Sequence, residues 1–194
     1  MVFRVDFMEN LNRTFFVYIN GLAGNPFWDG LNCFVATISP YIYALFLVVF
    51  YLRGKREQAL YAFYCALFAL TINLLITFFY FHPRPFMVGL GRALLKHSPE
   101  TSFPSDHATL AFSISLYFLL EKEWRTGFPL FLFALFTGFA RVYVGIHFPL
   151  DIIGSMLISM LAAIMIYNYK NKFILLKSRL QKVNFSVRGQ ANER

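Results

Sequence analysis

Residues 32–81 read NCFVATISPYIYALFLVVFYL, then RGKRE, then QALYAFYCALFALTINLLITFFYF. Two long apolar runs flank a short, charged turn. A helix needs roughly 17–25 apolar residues to cross the hydrocarbon of a bilayer, and both runs, 32–52 and 58–81, reach that length. No water is available there to satisfy backbone groups, so a chain crosses lipid as a helix unless it closes a barrel. The stretch therefore predicts two antiparallel membrane helices. Pro40 lies inside the first and predicts a kink that neighbouring helices accommodate.

Three further spans follow, at about 104–120, 128–146 and 150–169, the first of them short. Composition agrees with this count. Of 194 residues, 58% are hydrophobic and 20% aromatic, while only 14% are charged, outside the range of soluble domains. The 25 Phe and 11 Tyr exceed what one core of this size can bury, and a bilayer would solvate the excess. The expected fold is all-α: a single domain over residues 1–194, a polytopic membrane helix bundle with about five transmembrane helices. Residues 1–30 carry Arg4, Asp6, Glu9 and Arg13 among apolar residues. They predict an amphipathic helix on the membrane surface rather than a cleavable signal peptide, with an extra weak span as the alternative. Residues 32–170 form the transmembrane core, and 171–194 a basic tail. Cys33 and Cys65 fall in or beside apolar runs and read as small hydrophobes.

Lysine and arginine in short loops set orientation. Arg53, Lys55 and Arg56 join the first two spans, and Lys122 and Arg125 join the third and fourth. Lys170, Lys172, Lys177, Arg179, Lys182 and Arg188 follow the fifth. All three clusters fall on one side, expected to be the cytoplasm, which accounts for most of the net charge of +8 without nucleic acid as a partner. The other side receives the N-terminal helix, the 82–104 loop and the 141–151 turn. Arg84 in HPRPF, Ser105, Asp106 and His107 in PSDH, and Arg141, His147 and Asp151 in ARVYVGIHFPLD thus converge at one membrane face.

These residue types suit an anion. Proline is favoured at the first helical position, so Pro104 would leave the amides of Ser105 and Asp106 free at a helix start, where anions bind. His107 follows within the first turn. Pro149 should start the last span, with His147 before it and Asp151 in its first turn. The carboxylate could then fix the imidazole tautomer and free the other nitrogen as base or nucleophile. Arg84 and Arg141 offer planar forks for phosphate oxygens. Taken singly, each motif also reads as an ordinary helix cap or an interfacial side chain. A metal site on His107, His147, Asp106 and Asp151 is the competing chemistry, but two arginines would repel a dication and no close-spaced ligand set is present. No metal and no cofactor are expected.

Order and spacing resemble the type 2 phosphatidic acid phosphatase superfamily, whose motifs are Lys-x6-Arg-Pro, Pro-Ser-Gly-His and Ser-Arg-x5-His-x3-Asp. Here they read Thr77-FFYFHP-Arg84-Pro85, Pro104-Ser105-Asp106-His107 and Ala140-Arg141-VYVGI-His147-FPL-Asp151. The resemblance implies a metal-independent lipid phosphatase in which His147 is the nucleophile that forms a phosphohistidine. Asp151 would orient it and His107 would protonate the leaving group. Arg84, Ser105 and Arg141 would hold the phosphoryl oxygens, with Asp106 beside them. Three departures stand out: Thr77 for lysine, with Lys96 or Arg92 as replacements, Ala140 for serine, and Asp106 for glycine. Asp106 would then bond back to its helix start or to an arginine.

The Pro-Ser-Asp-His form is similar to that of the bacitracin-resistance undecaprenyl-diphosphate phosphatases. It implies hydrolysis of undecaprenyl diphosphate at the outer face of a bacterial inner membrane, with the C-terminus cytoplasmic. Phosphatidylglycerophosphate, phosphatidic acid and lipid A 1-phosphate are alternative substrates, and a catalytically silent lipid-phosphate binder or transporter is the alternative class. The expected partners are the lipid phosphate and the bilayer. Oligomeric state is left open.

Overall fold

The structure, a computed structural model, describes residues 2–192, with side chains for 7–173 and for 175. The described residues form six α-helices: α1 (Val2–Asn20), α2 (Pro26–Leu52), α3 (Arg56–Phe79), α4 (Asp106–Leu120), α5 (Trp124–Tyr143) and α6 (Pro149–Asn192). A 3₁₀ turn (Pro85–Val88) lies in the long connection between α3 and α4. Four helices are long and apolar enough to cross a membrane: α2, α3, α5 and the Pro149–Phe173 part of α6.

Several boundaries differ from expectation for local reasons. The first span starts at Pro26 rather than 32, because Asn25 caps it and Pro26 takes the first helical position. The Asn25 side chain accepts from the amides of Phe27 (3.0 Å) and Trp28 (3.3 Å), and such a cap contributes about 1 kcal/mol. The N-terminal helix accordingly ends at Asn20 instead of 30. Last, α6 runs unbroken to Asn192. Lys170, read with the basic cluster that follows the fifth span, is buried and pairs with Glu121 (2.6 Å) and Glu57 (3.6 Å). The tail's basic side chains from Lys177 onward, and Arg4 and Asp6, lie outside the described side chains.

The expected third span, α4, is 15 residues long, about 22 Å at 1.5 Å per residue, which is shorter than the hydrocarbon. It is also the most enclosed helix, packing against α2, α3, α5 and α6. Its buried residues run from Ala108 to Phe118 with only Leu110 interrupting, so protein rather than lipid surrounds it. Small residues let α6 approach closely. Ser155 Oγ donates to the Ser105 carbonyl (3.1 Å) and Ser159 Oγ to the Thr109 carbonyl (2.9 Å). The outer helices carry the reverse pattern, with Phe34, Leu45, Phe63, Leu67, Phe78, Leu132, Leu157 and Leu161 all exposed. Such a girdle is stable facing acyl chains and costly facing water.

Helix α1 is not among the helices apolar enough to span. It buries Asn12, Phe16 and Asn20, one helical turn apart, while Phe7, Met8, Phe15 and Tyr18 stay exposed. The buried stripe fastens α1 to the loops at one end of the bundle. Asn20 Nδ2 donates to the carbonyls of Arg92 (2.9 Å) and Tyr143 (2.8 Å), its Oδ1 accepts from the Arg92 amide (2.7 Å), and Asn12 Oδ1 accepts from the Leu150 amide (3.0 Å). Loops 82–104 and 144–148 are thereby held together over the start of α4.

Candidate active site

The α5–α6 connection is built around Gly145, whose φ of +83° belongs to the left-handed region. An added Cβ there would come within 2.3 Å of the Arg92 carbonyl oxygen. The connection presents His147, 1% exposed, directly before α6. Pro149 starts that helix as expected, and Asp151 Oδ2 reaches back to the Phe148 amide at 2.7 Å, closing the first turn. The same oxygen lies 3.5 Å from His147 Nδ1. A closer acceptor for Nδ1 is the Ser102 carbonyl at 2.8 Å. The imidazole therefore carries its proton on Nδ1 and leaves the Nε2 lone pair free.

Both arginines aim at that lone pair. Arg84 Nη1 lies 3.2 Å and Arg141 Nη2 3.1 Å from His147 Nε2. Arg84 and Arg141 are 5% and 4% exposed, and each guanidinium is anchored on a carbonyl: Arg84 Nη1 on Ile146 (2.9 Å), Arg141 Nη1 on Ala36 (3.2 Å). The Ala36 anchor has a cause in the sequence. Pro40 lacks the N–H that would otherwise close the helical bond to the residue four before it, so the Ala36 carbonyl is left for Arg141. Burial pushes the His147 imidazole well below the usual histidine range; the nearby Asp151 carboxylate opposes this and the two guanidiniums reinforce it.

In front of the arginines opens a cavity of about 570 Å³ lined by Arg84, Arg141, His107, Asp106, Thr77, His97, Thr101 and Glu100, with Leu74, Phe81 and Pro104. His147 lies behind the guanidiniums rather than on the wall. An incoming anion would meet the arginines first, exchanging their contacts to Nε2 for its own oxygens.

All seven residues singled out from the sequence thus gather at one end of the bundle, with corrections of detail. Pro104 is not the first helical residue: α4 begins at Asp106, with Ser105 as its N-cap. The Ser105 amide is not free, since it donates to Ser155 Oγ at 2.9 Å. Its buried hydroxyl has no hydrogen-bond partner among the described residues. Among the described residues Asp106 bonds neither to its own helix start nor to an arginine; it accepts from Asn73 Nδ2 of α3 at 2.9 Å. Thr77, where the lysine was expected, lines the cavity but turns its hydroxyl to the Leu74 carbonyl (2.8 Å). Neither candidate replacement lines that cavity. The Arg92 backbone is tied to Asn20, while Lys96 lines an adjoining cavity of about 520 Å³ with His97 and Ser98.

Five residues of the 82–104 loop were missed: His82, His97, Glu100, Thr101 and Ser102. His97 Nε2 stands 3.5 Å from Arg141 Nη2, and burial together with Arg84 lowers its pKa. A loop without periodicity gives no register from which to place such side chains, and the flanking prolines of HPRPF were the only local signal.

The PAP2 superfamily model matches residues 58–175, which contain the whole candidate site except Ala36 and α1. Undecaprenyl-diphosphatase BcrC of Bacillus subtilis (strain 168) is 36% identical over 165 residues, 83% of this chain and 85% of the relative. YbjG of Escherichia coli (strain K12) is 33% identical over 162 residues, 81% of each. Among solved structures, LpxE of Aquifex aeolicus superposes with a TM-score of 0.71 at 27% identity, covering 82% of this chain and 96% of that one. With a family match over more than half its length and these relatives along most of it, the chain belongs to the PAP2 superfamily.

Proposed function

We propose that this protein is an integral membrane lipid phosphatase that hydrolyses undecaprenyl diphosphate to undecaprenyl phosphate and phosphate. The observation that carries the reading is the convergence of two buried guanidiniums on the Nε2 lone pair of a histidine whose Nδ1 is anchored. Such a cluster is organised for phosphoryl transfer, which needs positioning and charge stabilisation more than covalent chemistry from the protein.

In the proposed reaction the terminal phosphate enters between Arg84 and Arg141, and Ser105 Oγ donates to one of its oxygens. His147 Nε2 forms a bond to phosphorus as the bond from phosphorus to the bridging oxygen breaks, and His107 gives a proton to that oxygen. Water then attacks the phosphohistidine with His107 taking its proton, the N–P bond breaks, and phosphate leaves. Asp151 holds the imidazole and stabilises its charge once Nε2 is phosphorylated. Asp106 supports the cavity wall through Asn73. The long apolar chain lies along the exposed aromatic helices outside. The choice of a diphosphate rests on the name of the Bacillus subtilis relative and its identity to this chain. The site faces the outer, periplasmic or extracellular, side and the C-terminus the cytoplasm, as the lysine and arginine pattern of the loops implies.

The test is phosphate release by detergent-purified protein, with EDTA present, from undecaprenyl diphosphate, phosphatidylglycerophosphate and phosphatidic acid in parallel. The diphosphate is expected to be preferred. His147→Ala is expected to lose at least about a thousandfold in kcat, the scale of removing a covalent catalyst, and to form no phosphoenzyme. Residual turnover near wild type in that variant would refute the mechanism. A preferred monophosphate would refute the substrate.

A further inference from the structure

Asp151 serves two histidines. Its Oδ2 accepts from the Ser102 hydroxyl and the Phe148 amide and faces His147. Its Oδ1 is buried with no hydrogen-bond partner among the described residues, and so is Nδ1 of His82. These two unpartnered atoms face each other at 3.3 Å. A buried carboxylate oxygen without a donor is costly, and an N–H on His82 Nδ1 satisfies both atoms at once. The other ring nitrogen, Nε2, points to Glu9 Oε2 of α1 at 4.0 Å, so the ring has a carboxylate on each side.

The backbone closes the circuit. The His82 carbonyl accepts from the Ser102 amide at 2.6 Å, and the His82 amide donates to Thr101 Oγ1 at 3.0 Å. Ser102 in turn holds both Asp151 and His147. Tyr80 stacks on the His82 ring at 6.2 Å and Phe148 packs against it at 5.3 Å, which fixes its plane. The groups that charge this ring are Asp151 of α6 and Glu9 of α1, with Arg13 of α1 opposing them.

We propose that His82 is a positioning residue for the nucleophile: its Nδ1–H holds Asp151 Oδ1, so that the carboxylate keeps Oδ2 toward Ser102 and His147. This rests on the phosphatase reading and adds to it a second imidazole on the same carboxylate. Without His82, Asp151 can rotate and the imidazolium-like charge that develops on His147 loses its fixed counter-charge.

An amide pair tests this without removing polarity. In His82→Asn the side-chain NH₂ falls near Nδ1 and can still reach Asp151; in His82→Gln it extends toward the Nε2 position, away from Asp151. The readouts are kcat and KM for undecaprenyl diphosphate, phosphoenzyme formation in a single turnover, and affinity for orthovanadate, a pentacoordinate mimic of phosphoryl transfer. We expect His82→Asn to stay within about threefold of wild type. His82→Gln should lose about tenfold to a hundredfold in kcat and in vanadate affinity, with KM little changed, the scale of one bond to a charged group. Equal activity in both variants, or equal loss in both, would overturn the proposal. A wild type that forms no phosphoenzyme and ignores vanadate would overturn the phosphatase reading and this inference with it.

Discussion

At the residue scale the site turns on one nitrogen. His147 Nε2 is useful as a nucleophile only while it lacks a proton, and its surroundings are arranged to keep it so. Burial lowers the imidazole pKa, the Asp151 carboxylate opposes this, and Arg141 and Arg84 lower it further. A histidine whose folded pKa is depressed keeps its neutral form as pH falls, until the lowered value is reached. An unperturbed histidine, with a pKa near 6.5, would be about 90% protonated at pH 5.5. The single-turnover rate of phosphoenzyme formation should therefore fall by no more than about twofold from pH 7.5 down to about 5.5, since protonation of His107, the donor in that step, can only raise it. A tenfold fall over that range would mean that Nε2 titrates like an exposed histidine and that the guanidinium pair does not control it. His107, His147 and Asp151 were legible because they sit beside helix starts. Pro149 fixes where α6 begins, which puts Asp151 four residues from His147 on the same turn. What the spacing could not give is that Nδ1 has a nearer acceptor in the Ser102 carbonyl, since that contact comes from a loop with no repeat to read.

At the scale of elements, the span boundaries were read mostly from hydropathy and missed where local chemistry intervened. Asn25 and Pro26 extend α2 past its apolar run, whereas α4 is short as its apolar run implies, and protein rather than lipid encloses it. Pro40 shows the same limit from the other direction. The sequence marks it as a disturbance inside α2 but not what it does for the site: its missing N–H leaves the Ala36 carbonyl to Arg141 at 3.2 Å. A helix interior normally loses about 3 kcal/mol to proline, so a proline here sacrifices helix stability and gains an anchor for a phosphate-facing guanidinium. Pro40→Ala should restore the helical bond to Ala36, raise the melting temperature in detergent and lower kcat/KM about threefold to tenfold as Arg141 loses part of its hold. An alanine variant that is less stable, or as active as wild type, would show that the proline serves packing alone.

At the scale of the whole molecule, three segments far apart in sequence meet at one end of the bundle, and the helix count decides that they do. Helices α2 and α3 form a hairpin whose turn, at Arg53 and Gly54, lies at the other end with the α4–α5 turn near Lys122. The 82–104 loop and the α5–α6 connection must then share the end opposite, where α1 clasps both through Asn12 and Asn20. That convergence was legible from span number alone. The clasp was not, because hydropathy reads the apolar face of α1 and says nothing of two asparagines on the other. If the charge pattern sets orientation, the loop end faces outward and the turn end faces the cytoplasm. Cysteine labelling in intact spheroplasts tests this directly, in a background where Cys33 and Cys65 are replaced by serine. Ser98→Cys, on the exposed rim beside His97, should react with a membrane-impermeant maleimide, whereas Arg53→Cys should react only after the cells are opened. The reverse pattern would place the phosphate site inside. The lipid phosphate would then have to be consumed on the cytoplasmic leaflet, and the lysines and arginines of the turns would need another reason to cluster.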